Sequence, residues 1–72
     1  MSRWAGIARR VALGGGAWVL ETRGGERYEL ALGEAAPPPE GVEIEVEGSL
    51  DEAAFSLAMV GPVLRVQRWR PG

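Results

Sequence analysis

Residues 41–48 read GVEIEVEG. Val42, Ile44 and Val46 alternate with Glu43, Glu45 and Glu47, and a period of two is the repeat of a β-strand. The alternation puts branched aliphatic side chains on one face and carboxylates on the other. A chain carrying this stretch has to build a sheet with one dry face and one wet face. The remaining sequence supplies the partners. RYELAL at 27–32 sets Tyr28, Leu30 and Leu32 against Arg27 and Glu29, and GAWVLET at 16–22 sets Trp18 and Leu20 against Val19. RGGE lies between them, and its glycine pair suits the positive φ of a hairpin connection, so residues 17–32 are predicted to form a β-hairpin. VLRVQRW at 63–69 puts Leu64 and Val66 on one side, with Arg65 and Gln67 on the other, in a strand that ends at Pro71. RWAGIARRVA at 3–12 predicts one more strand. Gly6 and the Arg9-Arg10 pair break its alternation, and a bulge or a sharp coil is expected there.

Two stretches need separate argument. GEAAPPPEG at 33–41 is a loop, because its consecutive prolines fix an extended backbone and remove amide donors. SLDEAAFSLAMV at 49–60 opens like a helix, with Ser49 and Glu52 at capping-box spacing and Gly61-Pro62 as a stop. From Ala53 to Val60, however, every residue but Ser56 is apolar, and such a helix needs cover on all sides. A chain of 72 residues has no room for that. A strand over 54–60 is therefore expected, with Phe55, Leu57 and Met59 on one face, a turn at Asp51-Glu52-Ala53 before it and a kink at Gly61-Pro62 after it. The fold class that follows is all-β, without a long helix: a single domain over 1–72, built as a small five- to six-stranded closed barrel of the OB-like or SH3-like kind. Closure removes the edges that short strands otherwise expose. Trp18, Tyr28 and Phe55 belong to its expected core.

The pattern in this sequence resembles a group of small bacterial OB-fold-like barrel domains. The matching positions are Gly25, Tyr28 and Leu30 in the hairpin; Gly41, Val46 and Gly48 around the acidic strand; and Met59, Gly61, Leu64 and Val66 in the closing strand. The resemblance covers about residues 16–67. These domains often carry a cysteine before the methionine, where this chain has Ala58. Each matched position is a turn glycine or a core apolar residue, so the resemblance implies the barrel fold and carries over no functional residue.

Composition narrows the chemistry. The chain has no cysteine, histidine, lysine or asparagine, and its eight basic residues are all arginine. Disulfides, thiolate metal sites, histidine general bases, Schiff bases and a Walker lysine are thereby excluded. No carboxylate pair shows the contrasting environments that acid–base work requires, so the chain is not expected to be an enzyme and no cofactor is expected. No apolar run approaches the roughly 18 residues of a membrane span, and the N-terminal stretch lacks a signal-peptide core, so the expected location is the cytoplasm. Arginine-only basicity with abundant Ala, Gly, Pro and Glu suggests a GC-rich genome and a thermophilic source.

Three features are candidates for function. Alternate carboxylates on a strand stand nearly 7 Å apart, so Glu43, Glu45 and Glu47 make a poor single-ion site, and no metal is expected. They are expected to form a solvated face that meets arginines of the first and last strands, because the fourth strand of an OB-like barrel lies between them. The glycine runs at 14–16 and 24–25 are followed by neither a helix nor a lysine, and are assigned to turns. The third group is Trp4, Arg3, Arg9, Arg65, Arg68, Trp69 and Arg70, from the two end strands. Facing outward together, they would make a surface for single-stranded nucleic acid or another anionic ligand, with bases stacked on indoles in a basic groove. The competing arrangement covers the barrel ends with the tryptophans and pairs the arginines with glutamates. A net charge of −2 weighs against nucleic acid as a partner. The expected role is a non-catalytic binding or assembly module; the alternatives are the anionic-ligand surface just described and self-association, from which so small a core would gain.

Overall fold

A computed structural model describes residues 2–12, 16–54 and 61–72. Among them are five strands and no helix: β1 (Ser2–Val11), β2 (Ala17–Glu21), β3 (Arg27–Ala31), β4 (Glu43–Asp51) and β5 (Val63–Pro71). The strand expected over 54–60 falls, apart from Ala54, outside the described residues, as do Phe55 and Met59. The hydrogen-bonded order is β1-β2-β3-β5-β4, and β4 pairs back onto β1. Every pair is antiparallel except β3 with β5.

The alternations locate the core. Arg10, Trp18, Leu30, Leu64 and Leu50 occupy successive register positions across the strands, as do Ala8, Leu20 and Tyr28. Ala8, Leu20, Leu30, Ile44, Val46, Leu64 and Val66 form one buried cluster inside the sheet ring. Leu32, Ala35 and the rings of Trp4, Trp18, Tyr28 and Trp69 pack against it. The hairpin at 17–32 forms as expected, with Glu21 opposite Arg27 and a loop closed by hydrogen bonds between Thr22 and Glu26. The turn after β4 is held by Asp51, whose Oδ1 accepts the Ala53 N–H.

One irregularity differs from expectation. β1 keeps a continuous register with β4 over Ser2–Ile7 and with β2 over Ile7–Val11, so of the bulge or coil expected there no bulge is found, and Gly6 stands where the strand passes from one partner to the other. Gly6 is needed because a Cβ there would lie 2.3 Å from the Glu21 carbonyl oxygen, where β1 crosses closely over β2. Arg9 faces outward, while Arg10 sits in the inner register over Trp18, 5.9 Å from the ring centroid. A long side chain with an apolar stem can do this at the end of a sheet. The bulge lies elsewhere, between β4 and β5. Glu47 pairs with Arg68 and Gly48 with Val66, leaving Gln67 without a partner in the ladder. The extra residue reverses the phase of β5. Val66 faces in, Gln67 and Arg68 are both exposed, and Trp69 faces in.

Candidate functional site

The bulge decides what the outer face carries. Strict alternation from Leu64 and Val66 would turn Arg68 into the core and Trp69 into solvent. With Gln67 inserted, Trp69 shares the inner register of Val46 and Trp4, and Arg68 shares the outer register of Glu47 and Arg3. Trp4 meets Tyr28 across the interior, with centroids 6.3 Å apart and planes tilted by 57°. The Trp69 indole N–H donates to the Ala36 carbonyl at 2.6 Å, tying β5 to the proline-rich loop. The two indoles are thus part of the packing and half-buried, Trp4 through its ring contact with Tyr28 and Trp69 through its N–H.

The arginines take the other face. Glu47 stands between β1 and β5, its side chain 16% exposed. Its Oε2 accepts from Arg3 Nε at 3.2 Å and its Oε1 from Arg68 Nε at 2.6 Å. One register step along, Glu45 Oε1 accepts from Arg70 Nε at 3.0 Å and Nη2 at 2.7 Å. These residues, with Trp69, line a groove of about 380 Å³. Of the candidate residues named from sequence, Arg3, Arg68, Trp69 and Arg70 are therefore brought to one groove. Arg65 lies farther along β5, 4.0 Å from Asp51, and Arg9 lies across the ring with Glu21. Trp4 belongs to the interior.

A second cluster repeats the chemistry. Glu21 on β2 accepts from Arg9 Nε at 2.8 Å and from Arg27 Nη2 at 3.0 Å, joining β1, β2 and β3. Arg23 in the hairpin loop reaches Glu43 on β4 at 3.2 Å. The acidic strand is thus an ion-pair ladder, and among the described residues no group of acidic side chains is arranged to hold a metal ion. Glu45 and Glu47 meet arginines of the first and last strands, as the sequence leads one to expect; which arginine each one holds becomes visible once the register is known.

The hydrogen bond from Arg68 holds the Glu47 carboxyl below its ordinary value of 4.5; partial burial opposes this, and the bond from Arg3 adds to it. The bond from Arg9, then that from Arg27, does the same for Glu21, again against partial burial. Both groups are more acidic folded than unfolded. Their contribution to stability is therefore fully present above the ordinary carboxylate value and is lost as pH falls through the lowered folded value. Thermal melts from pH 6 to pH 2.5 should show a falling Tm below about pH 4.5, and Glu47→Gln should make that fall shallower. An unchanged pH profile in the variant would mean that the Arg3–Glu47–Arg68 bonds do not persist in solution.

The described residues form a small all-β fold with Trp4, Trp18, Tyr28 and Trp69 packed against its core and an arginine–carboxylate ladder on its outer surface. A family model described as "Protein of unknown function (DUF5818)" matches residues 10–72, and the chain belongs to that family. No curated protein and no solved structure matches the chain. Among the described residues no helix is long and apolar enough to cross a membrane.

Proposed function

We propose that this chain is a non-catalytic binding module, an OB-like closed barrel that receives a partner on the outer face of β1, β4 and β5. The ring order, with its one parallel pair between β3 and β5, supports the OB type over an SH3-like one. A single observation carries the functional part. Arg3 and Arg68 are each fixed through Nε on the same carboxylate, so the two terminal nitrogens of each guanidinium have no partner among the described residues. A guanidinium offers a planar fork of donors that fits a carboxylate or phosphate through two bonds at once. Holding the fork at its Nε side reduces the entropy lost when the free side engages a ligand. The groove is thus preorganised for an anion rather than simply positive.

Equilibrium binding at low ionic strength tests this. The purified chain is titrated against labelled oligothymidylate and a labelled glutamate-rich peptide, beside the triple variant Arg3→Ala, Arg68→Ala, Arg70→Ala. The wild type is expected to bind at least one probe, with affinity falling as salt rises. The triple variant should lose on the order of tenfold or more, an expectation discounted for the exposure of these side chains. Absence of binding to both probes would overturn the proposal.

A further inference from the structure

We infer that the partner of this groove is an extended acidic segment of another protein, laid along β5 with carboxylates at alternate positions. The inference rests on the binding-module reading above and names its ligand.

Charge and donor geometry come first. Arg68 and Arg70 lie on the same outer face of β5, 77% and 68% exposed, each anchored by a β4 glutamate. Spacing comes second. Residues two apart on a strand stand roughly 6.5–7 Å apart, and so do alternate side chains of any extended peptide. Acidic side chains at every second position of such a peptide would meet in turn the terminal nitrogens of Arg68 and the guanidinium of Arg70, whose Nη2 is shared with Glu45. The strand edge comes third. β4 runs beside β5 from Val63 to Pro71, whereas β3 accompanies it only from Val63 to Arg65. Beyond Arg65, the side of β5 away from β4 has no strand partner among the described residues. An extended peptide can bond to backbone groups on such a side, which a nucleic acid cannot do in the same way. The loop after β3 meets this stretch through the inward-facing Trp69 indole, at Ala36.

Two further facts separate a peptide from a single-stranded nucleic acid. Nonspecific strand binding relies on outward aromatic faces for stacking, and here Trp4 and Trp69 pack against the core. It also relies on an excess of cations, and the groove sets Arg3, Arg68 and Arg70 against Glu45 and Glu47 in a chain of net charge −2. The same glutamates repel an acidic chain lying over β4 and favour its position on the far side of β5.

The test is fluorescence anisotropy at low salt with the whole chain and three labelled probes: a peptide alternating glutamate with threonine, a peptide of the same composition with its glutamates in one block, and oligothymidylate. The alternating peptide is expected to bind on the order of tenfold tighter than the block peptide. Arg68→Ala with Arg70→Ala should weaken it by on the order of tenfold or more. Arg68→Lys with Arg70→Lys, which keeps the charges and loses the forks, should also weaken it, and decides the matter if circular dichroism shows the alanine variant unfolded. Arg23→Ala, in the hairpin loop, should leave binding unchanged. Equal affinity for the two peptides, or a preference for oligothymidylate, would overturn this inference while leaving a binding module standing. Binding of none of the three would overturn both.

Discussion

Gly48→Ala should destabilise the fold by about 2–4 kcal/mol, and Gly48→Val should leave the chain largely unfolded at 25 °C. A Cβ at position 48 would stand 2.0 Å from the Arg65 carbonyl oxygen and 3.0 Å from its carbon. These are backbone atoms of a paired strand, so they cannot rotate away as a side chain can. Relief requires opening the β4–β5 ladder at the register shift between Glu47 and Gly48. A domain of this length has roughly 4–11 kcal/mol of stability in all, taking about 0.05–0.15 kcal/mol per residue. Gly25 supplies the contrast. Its φ is +85°, but a Cβ there would meet nothing within 4 Å. Gly25→Ala should therefore cost only the left-handed penalty of about 1–2 kcal/mol. Urea denaturation of the three variants checks the ranking. A Gly48→Ala variant as stable as wild type would mean that the bulge is placed wrongly, and with it the outward position of Arg68.

The second large effect lies in the core. Leu64 is fully buried, between Leu30 on β3 and Leu50 on β4 in the register. Leu64→Ala should cost about 2–5 kcal/mol, the usual range for a buried leucine whose cavity only partly collapses. In a domain this small each kcal/mol moves Tm by roughly 4–8 °C, so a fall of roughly 8–40 °C is expected by calorimetry. Leu50 shares the register but is 43% exposed. Leu50→Ala should therefore cost well under half as much. Equal losses at the two positions would show that the strand ring is more tightly closed around Leu50 than described.

The elements legible in the sequence were those whose signal is local. Ile44 and Val46 are buried and Glu43, Glu45 and Glu47 face the other way, as the period of two requires. The hairpin over 17–32 was equally plain, because its turn glycines and flanking alternations lie side by side in the chain. The neighbours of β4 could be anticipated from the expected architecture, and β1 and β5 are those neighbours. What failed was phase. Nothing within VLRVQRW marks Gln67 as an extra residue; the mark is Gly48, on the facing strand, where only a glycine tolerates the approach of Arg65. The Arg9-Arg10 pair misled in the opposite sense. Two adjacent arginines look like a broken pattern, yet one reaches Glu21 outside and the other lies over Trp18 at the end of the ring.

The candidate site suffered the same limitation. Grouping the tryptophans and arginines of the end strands by their position in the chain brings together Arg3, Arg68, Trp69 and Arg70, which line one groove. It did not separate side chains that share a strand and face opposite ways. The residues that organise the groove, Glu45 and Glu47, are spaced for a sheet and say nothing alone about which arginine they hold. That information is cross-strand, between residues 44 apart for Arg3 with Glu47 and 21 apart for Arg68 with Glu47.

The most direct measurement is an NMR titration of the arginine Nε–Hε resonances with the peptide that alternates glutamate and threonine. The expected result is saturable shifts at Arg68 and Arg70, with Arg23 and Arg27 unmoved. Shifts confined to the hairpin arginines, or no shift at any guanidinium, would contradict the assignment of the β1–β4–β5 face as the binding surface.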